Sequence, residues 1–491
     1  MKFPFLQNKI LRSRYPIFIS ALLFYFFISS LLFAQAFYGY PLPVGDKEWY
    51  YPVIYNLKLT GELSHPFQTG LDSNMWLNFG FAFPHGFLFP RVQNLFNFFN
   101  EYHMIQFSSV LLLFLNCLIA LHLLNNKYSH WLFIPISISV YIYQMGRPEL
   151  LVSTILLFDY IIRSKFKLCS IYYEAFISTT LFITSPVSAI LHYFFIFAVD
   201  RNSENKFHRF SFLYFFISFF TLIISFLILG PDISLLEWIR GLLYQSNSYM
   251  SGSELIQTGR ILNINEISTY AWNESSIPKV ALIFIYFILF FCTSKNLLSL
   301  ASALVFCVLV YWFAFKSAMH IYNFISFIPL LLLYDQRLFP TFNIKKLFFL
   351  KYLYSFLSPL LLIIFSAGCL EVLAKQTVVQ TFLNLKYGHP PSSLIKSINA
   401  VENNKVIEIP KAFYFADIFS DKVHVKLLQK QDYSKSTLYS GDIVYLSQAG
   451  VGVIKQGEIP QIVGYCIVEQ LVQYYPIQAL YDWSFIKYEK C

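Results

Sequence analysis

The sequence predicts a polytopic α-helical membrane protein with about eleven spans, followed by a small C-terminal α/β domain outside the membrane. Three observations predict this fold class. Only 13% of the 491 residues are charged, against roughly 25% in soluble proteins, and 56% are hydrophobic. Apolar runs of helical length recur as far as residue 370, and segments rich in β-forming residues replace them from about Lys375.

The apolar runs are taken in order as candidate spans. The first follows a basic N-terminus, and its apolar length exceeds that of a signal peptide. We therefore interpret it as an uncleaved span, although Ala34-Gln35-Ala36 resembles a cleavage site. The predicted spans are 16–37, 105–124, 131–145, 150–162, 171–184, 187–199, 211–230, 279–294, 297–315, 319–334 and 352–370.

The distribution of Lys and Arg predicts the orientation. With the N-terminus inside, the inner segments hold 16 Lys/Arg, and the outer segments hold 7 over more than twice the length. This bias predicts a protein integral to the plasma or inner membrane, with membrane lipids as partners, a cytoplasmic N-terminus and an extracytoplasmic tail. It also accounts for the net charge of +9 without a nucleic-acid partner.

Two domains are predicted, a transmembrane domain over 1–370 with outer loops 38–104 and 231–277, and an extracytoplasmic domain over 371–491. In the second, "KVIEIP", "KVHVKLL", "GDIVYLS" and "QIVGYCIV" cluster β-formers between turn residues. The sequence leaves open whether Cys466 and Cys491 pair. It contains no phosphate-binding glycine loop, dinucleotide glycine pattern, zinc-ligand spacing or internal repeat.

The stretch "GDKEWYYPVIYNLKLTGELSHP", residues 45–66, places two carboxylates directly after the first predicted span. The stretch "EWYYPVIYNLKLTG", which begins at Glu48 and follows Asp46, has the pattern of a short amphipathic helix that would hold both carboxylates against the membrane surface. The alternative is that both are ordinary solvated loop acids.

This stretch resembles the first outer loop of GT-C-fold glycosyltransferases, which include the protein O-mannosyltransferases and the lipid A aminoarabinose transferases. Asp46 matches the first acid of their pattern, Tyr50 the aromatic residue, Gly61 the glycine and Pro66 the proline. Lys47 departs from the pattern, so that Glu48 stands one place later than the second acid. The resemblance implies a GT-C-like fold for 1–370 and transfer of a sugar from a polyprenyl-phosphate donor.

Other charged residues near the predicted outer face are further candidates, because charge at membrane depth is costly. Arg147 and Glu149 lie in "QMGRPELL"; the alternative is a local ion pair or a headgroup contact. Lys316 and His320, four residues apart, share a helix face suited to phosphate, or else snorkel to the interface. Arg260 is a candidate lid residue. His192 is interpreted as a hydrogen-bonded residue between helices rather than a ligand.

Sugar transfer needs a base for the acceptor hydroxyl and positive charge for the departing phosphate. The predicted catalytic residues are Asp46, as the base of an inverting attack, with Glu48 and Glu149. Arg147, Lys316, His320, Arg260 and Tyr50 are the predicted contacts to substrate and lipid phosphate. The acceptor is a glycan, a lipid or a protein. The sequence identifies no definite cofactor and leaves a divalent cation open.

Two other functions compete with this one. An O-antigen-type polysaccharide polymerase would use the outer-loop arginines Arg240 and Arg260 instead of Asp46. A lipid or polysaccharide transporter would carry paired repeats and charges near the bilayer midplane, and the sequence displays neither.

Overall fold

The structure of the protein is a computed structural model of the chain. The residues that it describes are 4–40, 50–63, 86–99, 101–123, 147–163, 170–199, 211–242, 301–302, 304–309, 326–327, 374, 378–410, 413, 425–427, 439–447, 459–471 and 483–491.

Helices form most of the described part of the chain before residue 400. Helix α1 is the longest, and α4 packs along it. The helices are α1 Pro4–Phe37, α2 Tyr51–Thr60, α3 Leu88–Asn94, α4 Glu101–Leu123, α5 Glu149–Ile161, α6 Ile171–Thr184, α7 Pro186–Val199, α8 Phe212–Leu229, α9 Gln380–Tyr387 and α10 Pro391–Asn399.

Local sequence signals account for several helix ends. The hydroxyl groups of Ser170 and Ser211 accept hydrogen bonds from the third backbone N–H of α6 and α8, as N-cap residues do. Ser185 is extended and separates α6 from α7, which begins at Pro186. Gly61, with φ of +79°, ends α2 in the left-handed conformation that glycine adopts without strain.

The prediction of about eleven membrane spans is wrong. Within the described residues one helix, α8, is long and apolar enough to cross a bilayer, and it coincides with the predicted span 211–230. The other apolar helical stretches in this part of the chain, Leu22–Phe37, His103–Ile119 and Pro186–Ile196, are shorter than the required length. The predicted spans 131–145, 279–294 and 352–370 lie outside the described residues.

The physical reason for this error is visible in α5 and α6. Hydropathy registers their apolar composition, but they contain only 13 and 14 residues, against the ~20 needed for a straight crossing. Both are interrupted by ionisable residues that the fold buries, Asp159 in α5 and Glu174 in α6. Their apolar side chains pack mainly against neighbouring helices, so composition alone overstates the number of spans.

Helix α8 differs from the other helices in its exposure. Only Tyr214 and Phe226 are buried, and they face α6 and the aromatic cluster around Trp238. The remaining surface presents large apolar side chains, which include Phe212, Phe215, Phe216, Phe219, Phe220, Leu227 and Ile228.

The C-terminal residues form one five-stranded mixed sheet in the order β2-β1-β3-β5-β4. Strand β1 pairs in parallel with β2 and β3, whereas β5 is antiparallel to β3 and β4. Each of the four β-rich segments of the tail contains a strand, and β5 is an addition. The strands are β1 Ile407–Ile409, β2 Val425–Leu427, β3 Ile443–Ser447, β4 Tyr465–Leu471 and β5 Phe485–Lys490.

Both faces of the central strand β3 are covered. Ile443 and Tyr445 join the large core that includes α10, and the alternate residues Val444 and Leu446 join a smaller cluster with β5. A disulfide between Cys466 and Cys491 ties edge strand β4 to the end of the chain, which resolves the question that the sequence left open.

Candidate functional site

The segment that carries Asp46 and Glu48 begins where α1 ends. The backbone N–H of Tyr40 donates to the Gln35 carbonyl at 2.9 Å, and that of Gly39 donates to Ala36 at 3.0 Å. With Gly39 at φ of +76°, these bonds form a Schellman motif, which fixes the direction in which the chain leaves the helix. Asp46 and Glu48 themselves lie outside the described residues.

The same segment ends at Tyr50, which is buried. The Tyr50 ring meets Phe89 of α3 edge-to-face, with centroids 5.8 Å apart. This contact gives Tyr50 a packing role at the start of α2, whereas the sequence predicted a substrate contact. The two ends of the acid-bearing segment, Tyr40 and Tyr50, thus both belong to the main hydrophobic core.

Arg91 of α3, which the sequence analysis did not single out, connects three elements at this end of the molecule. Its guanidinium donates to the Leu229 and Gly230 carbonyls at the end of α8, and to Gly61 after α2. Burial lowers the pKa of Arg91, and the charge of Asp232 opposes this shift. Arg91 therefore satisfies carbonyl groups that α8 leaves without helical partners.

Backbone contact also holds α3 against the turn between α6 and α7. Gly86 donates to the Thr184 carbonyl at 3.1 Å. A Cβ atom at position 86 would lie 1.6 Å from the Ile183 carbonyl oxygen, so only glycine fits at this approach. Helices α2 and α3, the end of α8 and the turn before Pro186 are therefore joined by direct contacts.

Arg147 and Glu149 form a buried bidentate pair at the start of α5. Arg147 Nε and Nη2 donate to the two carboxylate oxygens of Glu149 at 3.1 and 2.9 Å. Glu149 is also the first residue of the helix, where the helix dipole favours negative charge. The pairing matches the local ion pair that was the alternative at this position, and it keeps the Glu149 carboxylate occupied as an acceptor.

The remaining predicted site residues fall outside the described part of the chain. They are Asp46, Glu48, Arg260, Lys316 and His320. Among the predicted residues that the structure describes, it brings Arg147 and Glu149 into contact, and both Tyr50 and Leu150, the neighbour of Glu149, belong to the main core. The roles predicted for these residues in binding and catalysis stay predictions.

Sequence reasoning missed a second buried charge group, here called the Asp159 cluster and made of Asp159, Tyr173, Arg163, Glu174 and His192. Asp159 accepts from Arg163 Nε at 2.8 Å and from the Tyr173 hydroxyl at 2.7 Å. Arg163 also donates from Nη2 to Glu174 at 2.9 Å. His192 Nε2 lies 3.0 Å from the other Asp159 oxygen, so this histidine is a hydrogen-bonded residue between helices.

The Asp159 cluster joins three helices. The carboxylates of Asp159 and Glu174 share the guanidinium of Arg163. Asp159 has two further contacts, to the imidazole of His192 and to the Tyr173 hydroxyl. A sequence signal existed for part of it, because Asp159 and Arg163 stand four apart in an apolar run, where a helix makes them neighbours. Nothing in the sequence connects them to Glu174 or His192.

The described residues hold no group of three or more His, Cys, Asp or Glu side chains arranged to bind a metal ion. No protein-family model, curated protein or solved structure matches this chain.

Proposed function

We propose that this chain is a membrane-bound glycosyltransferase that moves a sugar from a polyprenyl-phosphate donor to an acceptor hydroxyl on the extracytoplasmic side. The observation that carries the proposal is the anchoring of the segment 41–49 between Tyr40 and Tyr50, both buried in one core. Anchored ends suit a segment whose acid must meet a substrate in a defined geometry.

Two observations support the location. The apolar surface of α8 is too large to face water without a partner, and hydrocarbon tails are a suitable environment for it. The Cys466–Cys491 disulfide is typical of oxidising compartments outside the cytoplasm. With Gly39 in contact with the same C-terminal domain, the acid-bearing segment would lie on the extracytoplasmic side and the N-terminus of α1 in the cytoplasm.

In the proposed reaction the acceptor hydroxyl transfers its proton to the Asp46 carboxylate as its oxygen attacks the anomeric carbon. The bond from that carbon to the phosphate oxygen breaks, and the lipid phosphate leaves with the bonding electrons, which inverts the anomeric centre. Glu48 would orient the sugar. Lys316 and His320, with Arg260, would stabilise the charge on the leaving phosphate.

The Arg147–Glu149 pair suggests a refined role for each partner. Both carboxylate oxygens of Glu149 already accept hydrogen bonds from the Arg147 guanidinium, so the carboxylate is committed to that partner. Glu149 would therefore orient Arg147, and the guanidinium would provide positive potential toward the donor phosphate.

The direct test is Asp46→Asn, assayed for sugar transfer in membranes with the expression level matched to wild type. Loss of a general base predicts a fall in turnover of about 10²–10⁴-fold. Glu62→Gln is the matched control, because Glu62 is an exposed acid beyond the end of α2 and should leave turnover unchanged. Near-wild-type turnover of Asp46→Asn would remove Asp46 from the role of base.

The sugar and the acceptor class can be found by mass spectrometry of glycans and glycolipids from a deletion strain. We expect one sugar residue to be missing from one class of acceptor, whether glycan, lipid or protein. An unchanged profile would contradict the transferase proposal, and loss of a whole polymer would favour a polymerase instead.

A further inference from the structure

The C-terminal domain and the end of α1 are in direct contact through polar groups. The Trp483 indole Nε1 donates to the Gly39 carbonyl at 2.7 Å, and Gln35 Nε2 donates to the Thr381 hydroxyl at 2.6 Å. Trp483, Gln35 and Thr381 are all buried. Both hydrogen bonds are therefore shielded from competing water. In such surroundings a hydrogen bond is stronger and fixes the positions of its two partners more firmly.

Shape reinforces this contact. A Cβ atom on Gly388, which follows α9, would lie 2.7 Å from the Tyr40 hydroxyl oxygen, so the backbone at this point approaches the tyrosine as closely as glycine permits. The Trp483 backbone N–H donates to the His389 carbonyl, which ties the chain two residues before β5 to the segment after α9. The Trp483 ring also lies against Phe413, with centroids 6.2 Å apart.

The position of these contacts in α1 is informative. Gln35 and Gly39 each contribute one backbone group to the Schellman motif, and Tyr40 is the last described residue before the segment with Asp46. The partners come from residues more than 340 positions later in the chain. A contact that only attached the C-terminal domain to α1 could lie anywhere along the helix. Its location at the Schellman motif indicates that it also fixes the end of α1.

We propose that the C-terminal domain is a positioning clamp: through Trp483 and Thr381 it fixes the end of α1 from which the chain enters the acid-bearing segment. The inference rests on the proposed function, because the clamp would hold that segment in register with the bound donor. Trp483 and Gln35 are positioning residues, since neither would touch the reacting atoms.

The test compares Trp483→Phe and Gln35→Met with wild type in the full-length protein. Phenylalanine keeps a buried ring and loses the indole donor, and methionine keeps the length of glutamine and loses its amide. Trp238→Phe is the matched control, because Trp238 is equally buried but belongs to the separate aromatic cluster with Phe87 and Phe226.

The first readout does not depend on sugar transfer. Hydrogen exchange of the Gly39 and Tyr40 amides, followed by mass spectrometry in detergent, reports opening of the Schellman motif. Loss of one buried hydrogen bond predicts roughly tenfold faster exchange in Trp483→Phe and in Gln35→Met, and no change in Trp238→Phe. Unchanged exchange in both variants overturns the clamp, whatever happens to sugar transfer.

The second readout is kinetic. A displaced base lowers kcat about tenfold and leaves the KM for the donor within about twofold, because donor contacts are retained. Faster exchange with an unchanged kcat would overturn the positioning role. If the variants exchange faster and the wild-type protein transfers no sugar, the contact that fixes the end of α1 is supported and the proposed function is rejected.

Correct folding of each variant is checked by the mobility shift of the Cys466–Cys491 disulfide on non-reducing gels. If Trp483→Phe fails this check, Gln35→Met decides the outcome, because Gln35 lies in α1 and outside the C-terminal domain.

Discussion

In the helices the charged side chains of Asp159, Arg163 and Glu174 are buried and share hydrogen bonds, whereas the ion pairs in the described part of the C-terminal sheet are at least one-third exposed. The Lys405–Glu489 and Lys490–Asp442 side chains retain 34–50% of their accessible surface. Exposed pairs contribute only about 0–1 kcal/mol, because water screens them. Removal of one partner from a buried group costs about 3–5 kcal/mol, because a charge is left without compensation.

The helices and the C-terminal sheet are therefore stabilised by different interactions. The helices depend on polar groups that must all be present together, since each buried charge has its compensation in another helix or in the same turn. The sheet depends on apolar residues from alternate faces of β3 and β5, and on a disulfide at its edge. Substitution of charged residues should therefore affect the two regions unequally.

The largest effect is expected for Arg163→Met. This change leaves two buried carboxylates, Asp159 and Glu174, without their shared cation, and should lower the free energy of unfolding by about 3–5 kcal/mol. Denaturant titration in mixed micelles measures the loss. Arg163→Lys is the control, since it keeps the positive charge and should lose less of the free energy of unfolding. Equal stability of Arg163→Met and wild type would contradict the stabilising role of the buried charges.

Arg147→Met should lower the free energy of unfolding somewhat less, by about 3 kcal/mol, because it leaves one buried carboxylate without its cation instead of two. The pair is confined to neighbouring residues, so the double variant Arg147→Met, Glu149→Gln should recover most of the stability. The same titration tests both. A double variant as unstable as the single one would mean that the pair is coupled to further groups, as the Asp159 cluster is.

Tyr173→Phe removes one hydrogen bond to the buried Asp159 carboxylate and leaves the ion pairs intact. We expect a loss of about 1.5 kcal/mol, typical of a bond to a charged group. Tyr172→Phe, at an exposed position in the same turn of α6, should change nothing. Equal stabilities of the two variants would show that the Tyr173 hydroxyl does not contribute to the cluster.

The smallest effect on stability is expected from protonation of Asp442, which directly precedes β3 of the sheet. The backbone N–H of Val406, helped by Lys490, holds the pKa of the Asp442 carboxyl below its ordinary value of 3.8. A lowered folded pKa means that the contribution is present above pH 3.8 and is lost as the pH falls through the folded value. Protease resistance of the C-terminal domain should therefore decline over that range in wild type.

The Asp442→Asn variant tests this pH dependence, because it has no proton to bind. Its protease resistance should change less than that of wild type over the same acidic range. Identical pH profiles for the two proteins would assign the acid sensitivity to other carboxylates.

Residue patterns close in sequence were informative. The cluster of β-forming residues in "GDIVYLS" predicted a strand, and the structure places β3 there with its two faces in different clusters. "QMGRPELL" identified Arg147 and Glu149, and their ion pair was one of the alternatives to a substrate site, because residues two apart at a helix start can meet without the help of other elements. The break at Pro186 follows from the restriction that proline places on its predecessor.

Membership in the Asp159 cluster could not be predicted in the same way. Asp159 meets His192 across 33 positions, and Arg163 meets Glu174 in the next helix, so these contacts exist only once α5, α6 and α7 are packed. The count of spans failed for a related reason. Hydropathy is a property of composition, and it does not register whether an apolar side chain faces lipid or a neighbouring helix.

The sequence by itself therefore determined the β-rich character of the tail, the long apolar helix at 211–230 and the charged residues at the start of α5. These features depend on local periodicity and on the cost of charge in apolar surroundings. The tertiary structure alone decided which charges share partners, that Arg91 caps α8, and that Trp483 binds the end of α1. Such contacts join residues far apart in the chain, and their energies depend on burial that arises only when the elements pack.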